Sequence, residues 1–186
     1  LMKKLLAPFF CAAPALALAH TGHDHSGFLS GALHPVGGLD HILAMLAVGL
    51  WAASFSGKAR WLIPASFVGV MALGFVFGAN GGEVPMMEQG IAASVLVLGL
   101  AAAWVKRVPV AFAALMVGGF ALFHGVAHGS ELGAHGALSF TAGFMIATAA
   151  LHAAGFGIGQ ALNKNVWLLR ATGSAIGLAG LGMLFA

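Results

Sequence analysis

Two short segments of the chain combine histidines with carboxylates inside otherwise apolar sequence. The first, residues 34–41, reads His-Pro-Val-Gly-Gly-Leu-Asp-His, and the second, residues 123–131, reads Phe-His-Gly-Val-Ala-His-Gly-Ser-Glu. Imidazole nitrogens and carboxylate oxygens are ligands for divalent ions of the later transition series. Ionisable groups at membrane depth are costly, so they are functional candidates by default. Both segments are therefore candidate parts of a metal site.

The second segment has helical spacing. His124, His128 and Glu131 follow an i, i+4, i+7 pattern, which places all three on one face of a helix. Two histidines four residues apart can chelate one cation. Glu131 is expected near the rim, either as a ligand at the mouth or as a solvated acid.

In the first segment, the distance between the candidate ligands is the question. Its candidate ligands are His34, Asp40 and His41, and Pro35 favours a helix that begins at the proline. On an unbroken helix His34 and His41 would be about 10 Å apart along the axis, too far for one ion. Either residues 37–38, both glycine, bend the backbone, or the two histidines serve successive sites.

The composition is that of an integral membrane protein. Of 186 residues, 60% are hydrophobic and 7% are charged, and the mean hydropathy is +0.98. Soluble domains carry about 25% charged residues. The basic residues are scattered in short loops and form no stripe of the kind that binds nucleic acid. No Walker-type phosphate-binding sequence occurs, so ATP would have to come through a partner chain.

The apolar stretches predict an all-α, polytopic membrane helix bundle with six transmembrane helices after a cleaved signal peptide. Each stretch approaches the roughly 20 residues that a bilayer requires. The predicted spans are 31–54, 61–79, 88–105, 108–128, 136–157 and 166–186. The predicted organisation is a signal peptide over 1–19, a His-rich outer tail over 20–30 and the six-helix domain over 31–186.

The N-terminal residues read as a secretory signal. Lys3 and Lys4 precede an apolar core, and residues 17–19, Ala-Leu-Ala, fit a cleavage site. Cleavage there would remove Cys11, the only cysteine, so that no thiolate ligand remained. A retained first helix is the competing reading.

Charge and tryptophan patterns both predict the orientation. The basic residues beyond the signal all fall at or beside alternate connections: Lys58, Arg60, Lys106, Arg107, Lys164 and Arg170. The four tryptophans flank that same side: Trp51, Trp61, Trp104 and Trp167. By the positive-inside rule this side is cytoplasmic. We expect a multi-pass protein of the bacterial inner membrane with a periplasmic mature N-terminus. Both His segments then lie at the same outer depth, which favours a single site.

Further polar residues have alternative readings. His20 and His23 on the outer tail are candidate ligands, through a new N-terminal amine, or belong to an arm that binds metal weakly. Glu88 suits the start of a helix whether or not it binds an ion. His152, toward the inner end of the fifth span, is either a ligand on an exit path or a hydrogen-bond donor to a backbone carbonyl.

The two segments resemble the signatures of a known family. His-Pro-x-x-Gly-x-Asp-His over residues 34–41, and Phe-His-Gly-x-Ala-His-Gly-x-Glu over 123–131, look like the motifs of the HupE/UreJ membrane proteins. The resemblance covers the whole chain. It implies nickel uptake, sometimes cobalt uptake, that serves hydrogenase or urease maturation.

The sequence thus predicts a secondary permease that moves Ni²⁺, or Co²⁺, from the periplasm to the cytoplasm, with no enzymatic activity and no tightly bound cofactor. Possible protein partners are further copies of the same chain, in a homo-oligomer, and the hydrogenase or urease maturation proteins. Two alternatives remain: a b-type haem electron carrier, since haem is often held by histidines, and a metal-binding subunit of a larger uptake complex. An intramembrane metalloprotease is disfavoured because no His-Glu-x-x-His is present.

Overall fold

The computed structural model describes residues 27–104, 108–132 and 137–186. The expected signal peptide, His20 and His23 lie outside these residues, and so does most of the expected tail. All elements within the described part are helical. They are α1 (Phe28–Leu33), a 3₁₀ turn (His34–Val36), α2 (Leu39–Ala52), α3 (Ala59–Ala79), α4 (Met87–Trp104), α5 (Val110–Leu132), α6 (Ala137–Leu162) and α7 (Val166–Leu184).

The first span is broken. Helices α1 and α2 meet at an angle of 83°. Gly38 is extended (φ −113°, ψ 126°) and precedes the first turn of α2. The prediction of one helix over 31–54 beginning at Pro35 is therefore wrong, because helix α1 precedes the proline and a second start follows the glycines. Pro35 lies at the beginning of the 3₁₀ turn, where its missing N–H costs nothing. The expectation that the backbone bends at residues 37–38 is therefore confirmed.

The other five spans are confirmed as helices. Each of α3 to α7 is long and apolar enough to cross a membrane, and the described residues give up to six spans if the bent pair counts as one. Helix α5 continues through Glu131 rather than ending near residue 128. It does so because Gly129 packs directly against the backbone of Phe75 in α3, so this glycine serves close packing instead of a turn.

The helices pack in pairs through glycines. Helix α2 runs parallel to α6, since Gly155 faces Leu46 and Gly159 faces Leu50 one turn later. Helix α1 crosses the start of α6, where Gly31 faces Phe140. A Cβ on Gly31 would overlap the Phe140 carbonyl. Small residues allow such close approach where lipid supplies no hydrophobic force between helices.

The remaining pairs complete the bundle. Helices α3 and α5 are parallel, since Ser66 donates to the Ala114 carbonyl (3.3 Å) near their starts and Gly78 faces Ser130 near their ends. Helices α4 and α7 are antiparallel, with Gly99 against Gly177. These directions agree with spans that alternate across a membrane.

The alternation gives the bundle two chemically different ends. We call the end that carries His34, Glu88 and Glu131 the histidine end. We call the opposite end, with Lys58, Arg60 and Lys164, the basic end.

Large apolar side chains cover the outside of the bundle. Leu115 is 77% exposed and Leu178 is 64% exposed, although both lie in the middle of long helices. Such surfaces are rare on soluble monomers and suit contact with lipid. The buried core includes Met45, Trp51, Phe67 and Phe144.

Candidate metal centre

Three ligand groups converge at the histidine end. Nε2 of His34 lies 3.3 Å from Oε2 of Glu131, and Nδ1 of His128 lies 3.5 Å from the same oxygen. One ligand atom from each of the three residues lies within 4.8 Å of the others. His128 is buried, whereas Glu131 is exposed at the rim. The broken first span brings His34 here, because the turn at its base aims the imidazole toward α5.

A second contact lies directly behind this triad. Nε2 of His41 is 2.6 Å from Nε2 of His128. Nδ1 of His41 is 2.7 Å from Oδ1 of Asp40, which also accepts the backbone N–H of His41 at 2.8 Å. Asp40 therefore holds a proton on Nδ1 and leaves Nε2 of His41 as a free lone pair. A carboxylate that orients an imidazole in this way is typical of metal-binding histidines.

A neutral His128 has too few N–H groups to donate a hydrogen bond to both of its neighbours. A neutral His128 carries one N–H, but one of its nitrogens faces the His41 lone pair and the other faces the Glu131 carboxylate. One of the two contacts must therefore bring two acceptors together. An additional proton or a metal cation removes the conflict.

His124 extends the group deeper into the bundle. Its side chain is fully buried, and its ring centroid is 4.8 Å from that of His41. Nε2 of His124 lies 2.9 Å from Oγ of Ser94, which itself donates to the Ile91 carbonyl. Ser94 must therefore accept from His124, so that Nδ1 carries the lone pair. Within the described part of the chain, this Nδ1 has no hydrogen-bond partner.

Aromatic rings surround the imidazoles. The ring of His34 lies 5.3 Å from Phe140, and that of His128 lies 4.5 Å from Phe144, measured between centroids. Around the buried His128, such rings exclude water and strengthen electrostatic interactions at the nitrogens.

An acidic cavity adjoins the cluster. It has a volume of about 370 Å³ and is lined by Asp40 together with Glu88 and Gln89 from the start of α4. The sequence predicted Glu88 only as a favourable first-turn acid. Its place beside Asp40 depends on the packing of α2 on α4.

The six described candidate ligands thus lie together: His34, Asp40, His41, His124, His128 and Glu131. Asp40 contacts His41 and faces the acidic cavity, so it orients an imidazole instead of joining the triad. Sequence reasoning missed Ser94, because a single serine in an apolar helix normally bonds only its own backbone. His152 lies apart from these residues, on the far side of Phe67.

The chain is similar to known proteins along almost its full length. A family model described as "HupE / UreJ protein" matches residues 8–183. Over 176 residues the chain is 45% identical to a protein of Rhizobium leguminosarum bv. viciae called "Protein HupE", a match that covers 93% of this chain and 92% of that protein. No solved structure matches the chain.

Proposed function

Because the chain belongs to the HupE/UreJ family, we propose that it is a secondary permease that carries Ni²⁺, or Co²⁺, through a passage lined by histidines. One observation carries the proposal: imidazoles from two distant segments meet in one row, in which neutral side chains cannot satisfy both nitrogens of His128. The protein acts as a carrier and not as an enzyme, and the ion is its cargo.

The donor set selects a class of ion. Imidazole nitrogens suit Ni²⁺, Co²⁺, Zn²⁺ and related ions, whereas Mg²⁺ and Ca²⁺ prefer sites made of oxygen alone. The triad of His34, His128 and Glu131 offers two nitrogens and one carboxylate. Family membership favours Ni²⁺ within this class.

The route begins at the acidic surface. Glu131 at the rim, with Asp40 and Glu88 in the adjoining cavity, attracts a hydrated cation. The triad then replaces part of the hydration shell. Transfer to the lone pairs of His41 and His124 carries the ion inward, away from water. Because ligands must be unprotonated, each transfer is coupled to proton movement.

We infer the direction of transport from the charges at the two ends of the bundle. We place the basic end, with Lys58, Arg60 and Lys164, in the cytoplasm by the positive-inside rule. The histidine end then faces the periplasm of a bacterium, and a cleaved signal peptide would leave the mature N-terminus there. His20 and His23, next to that terminus, would add ligands at the mouth. Hydrogenase or urease maturation proteins would receive the ion.

The site geometry argues against the haem alternative. A haem with two axial histidines lies between their ligating nitrogens. The Nε2 atoms of His41 and His128 are 2.6 Å apart, which leaves no space for a macrocycle. The other alternative, a metal-binding subunit of a larger uptake complex, can be distinguished from a permease by an uptake experiment.

The deciding experiment is uptake by purified protein in liposomes. We expect wild-type protein alone to load vesicles with Ni²⁺ and Co²⁺, faster than Zn²⁺ or Fe²⁺, while protein-free vesicles stay empty. Binding of Ni²⁺ without vesicle loading would instead identify a subunit that needs partners. A Soret band in the purified protein would overturn the proposal in favour of haem.

A further inference from the structure

The row of rings does not end at the buried His124. Neighbouring ring centroids are 4.6 Å apart from His34 to His128, 4.6 Å from His128 to His41 and 4.8 Å from His41 to His124. The row then continues through a phenyl ring. Phe67 lies 5.5 Å from His124 on one side and 5.1 Å from His152 on the other.

From this row we infer that His152 is a second, inner binding site for a divalent cation, separated from the outer cluster by the side chain of Phe67. The site takes the same class of ion as the outer cluster, because its donor is also an imidazole. The role of this site in transport rests on the proposed function. Metal binding at His152 does not depend on that function.

The state of the His152 side chain supports a ligand role. The residue is 4% exposed, and neither ring nitrogen has a hydrogen-bond partner among the residues that the structure describes. The expected alternative, a bond to a neighbouring backbone carbonyl, is therefore wrong for this structure. Buried polar groups in proteins nearly always have partners, and an unpartnered one in a native fold needs an explanation. A bound cation supplies that explanation.

A largely apolar cavity, with the exposed Trp61 and Ala149 in its lining, extends from His152 toward the basic end. His152 lines this cavity of about 390 Å³ between α2, α3 and α6, and the cavity reaches Arg60 and Trp61 at the basic end. Gly49 keeps α2 close to α6 here, since a Cβ would overlap the His152 carbonyl. The cavity therefore connects the buried imidazole with the end opposite to the outer cluster.

Two further candidate ligand atoms lie on the same helices as Phe67 and His152. Oγ1 of Thr148, one turn before His152 on α6, is 3.9 Å from Sδ of Met71, one turn after Phe67 on α3. Both side chains are buried. Their oxygen and sulfur atoms add weak candidate ligands to the two helices that carry Phe67 and His152.

Arg60 fits an exit rather than a storage site. Its charge repels a cation at the inner mouth of the cavity. His152 supplies only one imidazole nitrogen to an ion, so binding there is weak. Weak binding at this position favours release. A path conducts only when its sites bind strongly enough to accept an ion and weakly enough to let it leave.

A thiol at position 152 tests the site directly. We would load two variants of the full chain, His152→Cys and His152→Ser, with Co²⁺ in detergent and record their absorption spectra. A cobalt–thiolate bond gives an intense near-ultraviolet band that nitrogen and oxygen ligands do not give. Cys11, the only natural cysteine, is common to both variants, so a difference between the spectra reports residue 152 alone. We expect the band in the Cys variant and its absence in the Ser variant.

The visible Co²⁺ bands of the outer cluster serve as the control for folding in both variants. Their presence without a thiolate band in His152→Cys would overturn the inference. If either small side chain prevents folding, His152→Gln provides a second test by equilibrium dialysis with Ni²⁺. At Ni²⁺ concentrations high enough to saturate a weak site in the wild type, one Ni²⁺ fewer in the variant would support the inner site, and equal stoichiometry would reject it. Uptake by wild-type liposomes tests the permease separately, so either idea can fail alone.

Discussion

Nε2 of His41 and Nε2 of His128 lie 2.6 Å apart, although the two residues are 87 positions apart in the chain. The second nitrogen of each ring also contacts a carboxylate. Asp40 bonds Nδ1 of His41, and Glu131 faces Nδ1 of His128. The contact therefore requires a cation or a shared proton. It links the two motifs into one unit, and the predictions below depend on it.

Replacing Asp40 should weaken metal binding without removing a direct ligand. In Asp40→Asn the shape is kept, but the neutral amide oxygen accepts a weaker hydrogen bond from Nδ1 of His41 than the carboxylate does. Loss of such a partner typically costs 10–100-fold in metal affinity. We expect the Ni²⁺ concentration for half-maximal uptake by liposomes to rise by about 10–100-fold. The matched control is Glu83→Gln, which removes an exposed acid at the same end. Equal effects of the two variants would contradict the assignment.

His41 and His128 should behave as one binding unit. Because their Nε2 atoms meet, His41→Ala and His128→Ala should each abolish most Ni²⁺ binding, and the double variant should be little worse than either. We expect a coupling free energy of about 0.5–3 kcal/mol in a double-mutant cycle, measured by calorimetric titration of Ni²⁺. Independent, additive losses would show that the two histidines hold separate ions.

Metal binding should release protons. The shared proton between His41 and His128 must leave when a cation takes its place, so we expect release of about one H⁺ for each Ni²⁺ bound. The measurement is a pH-stat titration of the detergent-solubilised protein. In His128→Gln the contact is lost, and the release that belongs to it should disappear. Unchanged proton release in that variant would place the proton elsewhere.

Much of the fold follows from the apolar stretches, but the helix ends depend on packing. The run Gly129-Ser130-Glu131 suggests a turn, yet α5 continues through it because Gly129 packs against Phe75. Sequence periodicity describes one helix at a time. It cannot say that another helix needs a glycine for close approach.

The candidate site could also be predicted only where it depends on a single helix. Helical spacing predicts that His124, His128 and Glu131 share one face, because this pattern is a property of α5 alone. It left open whether His34 and His41 act together, which depends on the 83° break between α1 and α2. Ser94 was not predictable, since its contact with His124 depends on how α4 packs against α5.

Removing the Ser94 hydroxyl should destabilise the core around His124. In Ser94→Ala the N–H of the buried imidazole loses its acceptor, and an unsatisfied buried donor costs about 1–3 kcal/mol. We expect a lower unfolding temperature in detergent and weaker Ni²⁺ binding. Ser66→Ala is the control, because the Ser66 hydroxyl donates only to backbone carbonyls in the described structure. A melting temperature like that of wild type in Ser94→Ala would mean that His124 does not depend on this bond.

The spacing between α3 and α5 should control the position of the metal ligands. A Cβ on Gly125 would overlap the Met71 carbonyl, so Gly125→Ala must push α5 away from α3 and shift the adjacent His124. Overpacking of this kind costs about 1–3 kcal/mol, and we expect a lower melting temperature together with a loss of Ni²⁺ uptake. Gly119 lies on the same helix, and its Cβ position is open. Gly119→Ala should therefore melt and transport like wild type. If both variants behave alike, close packing at Gly125 does not position the site.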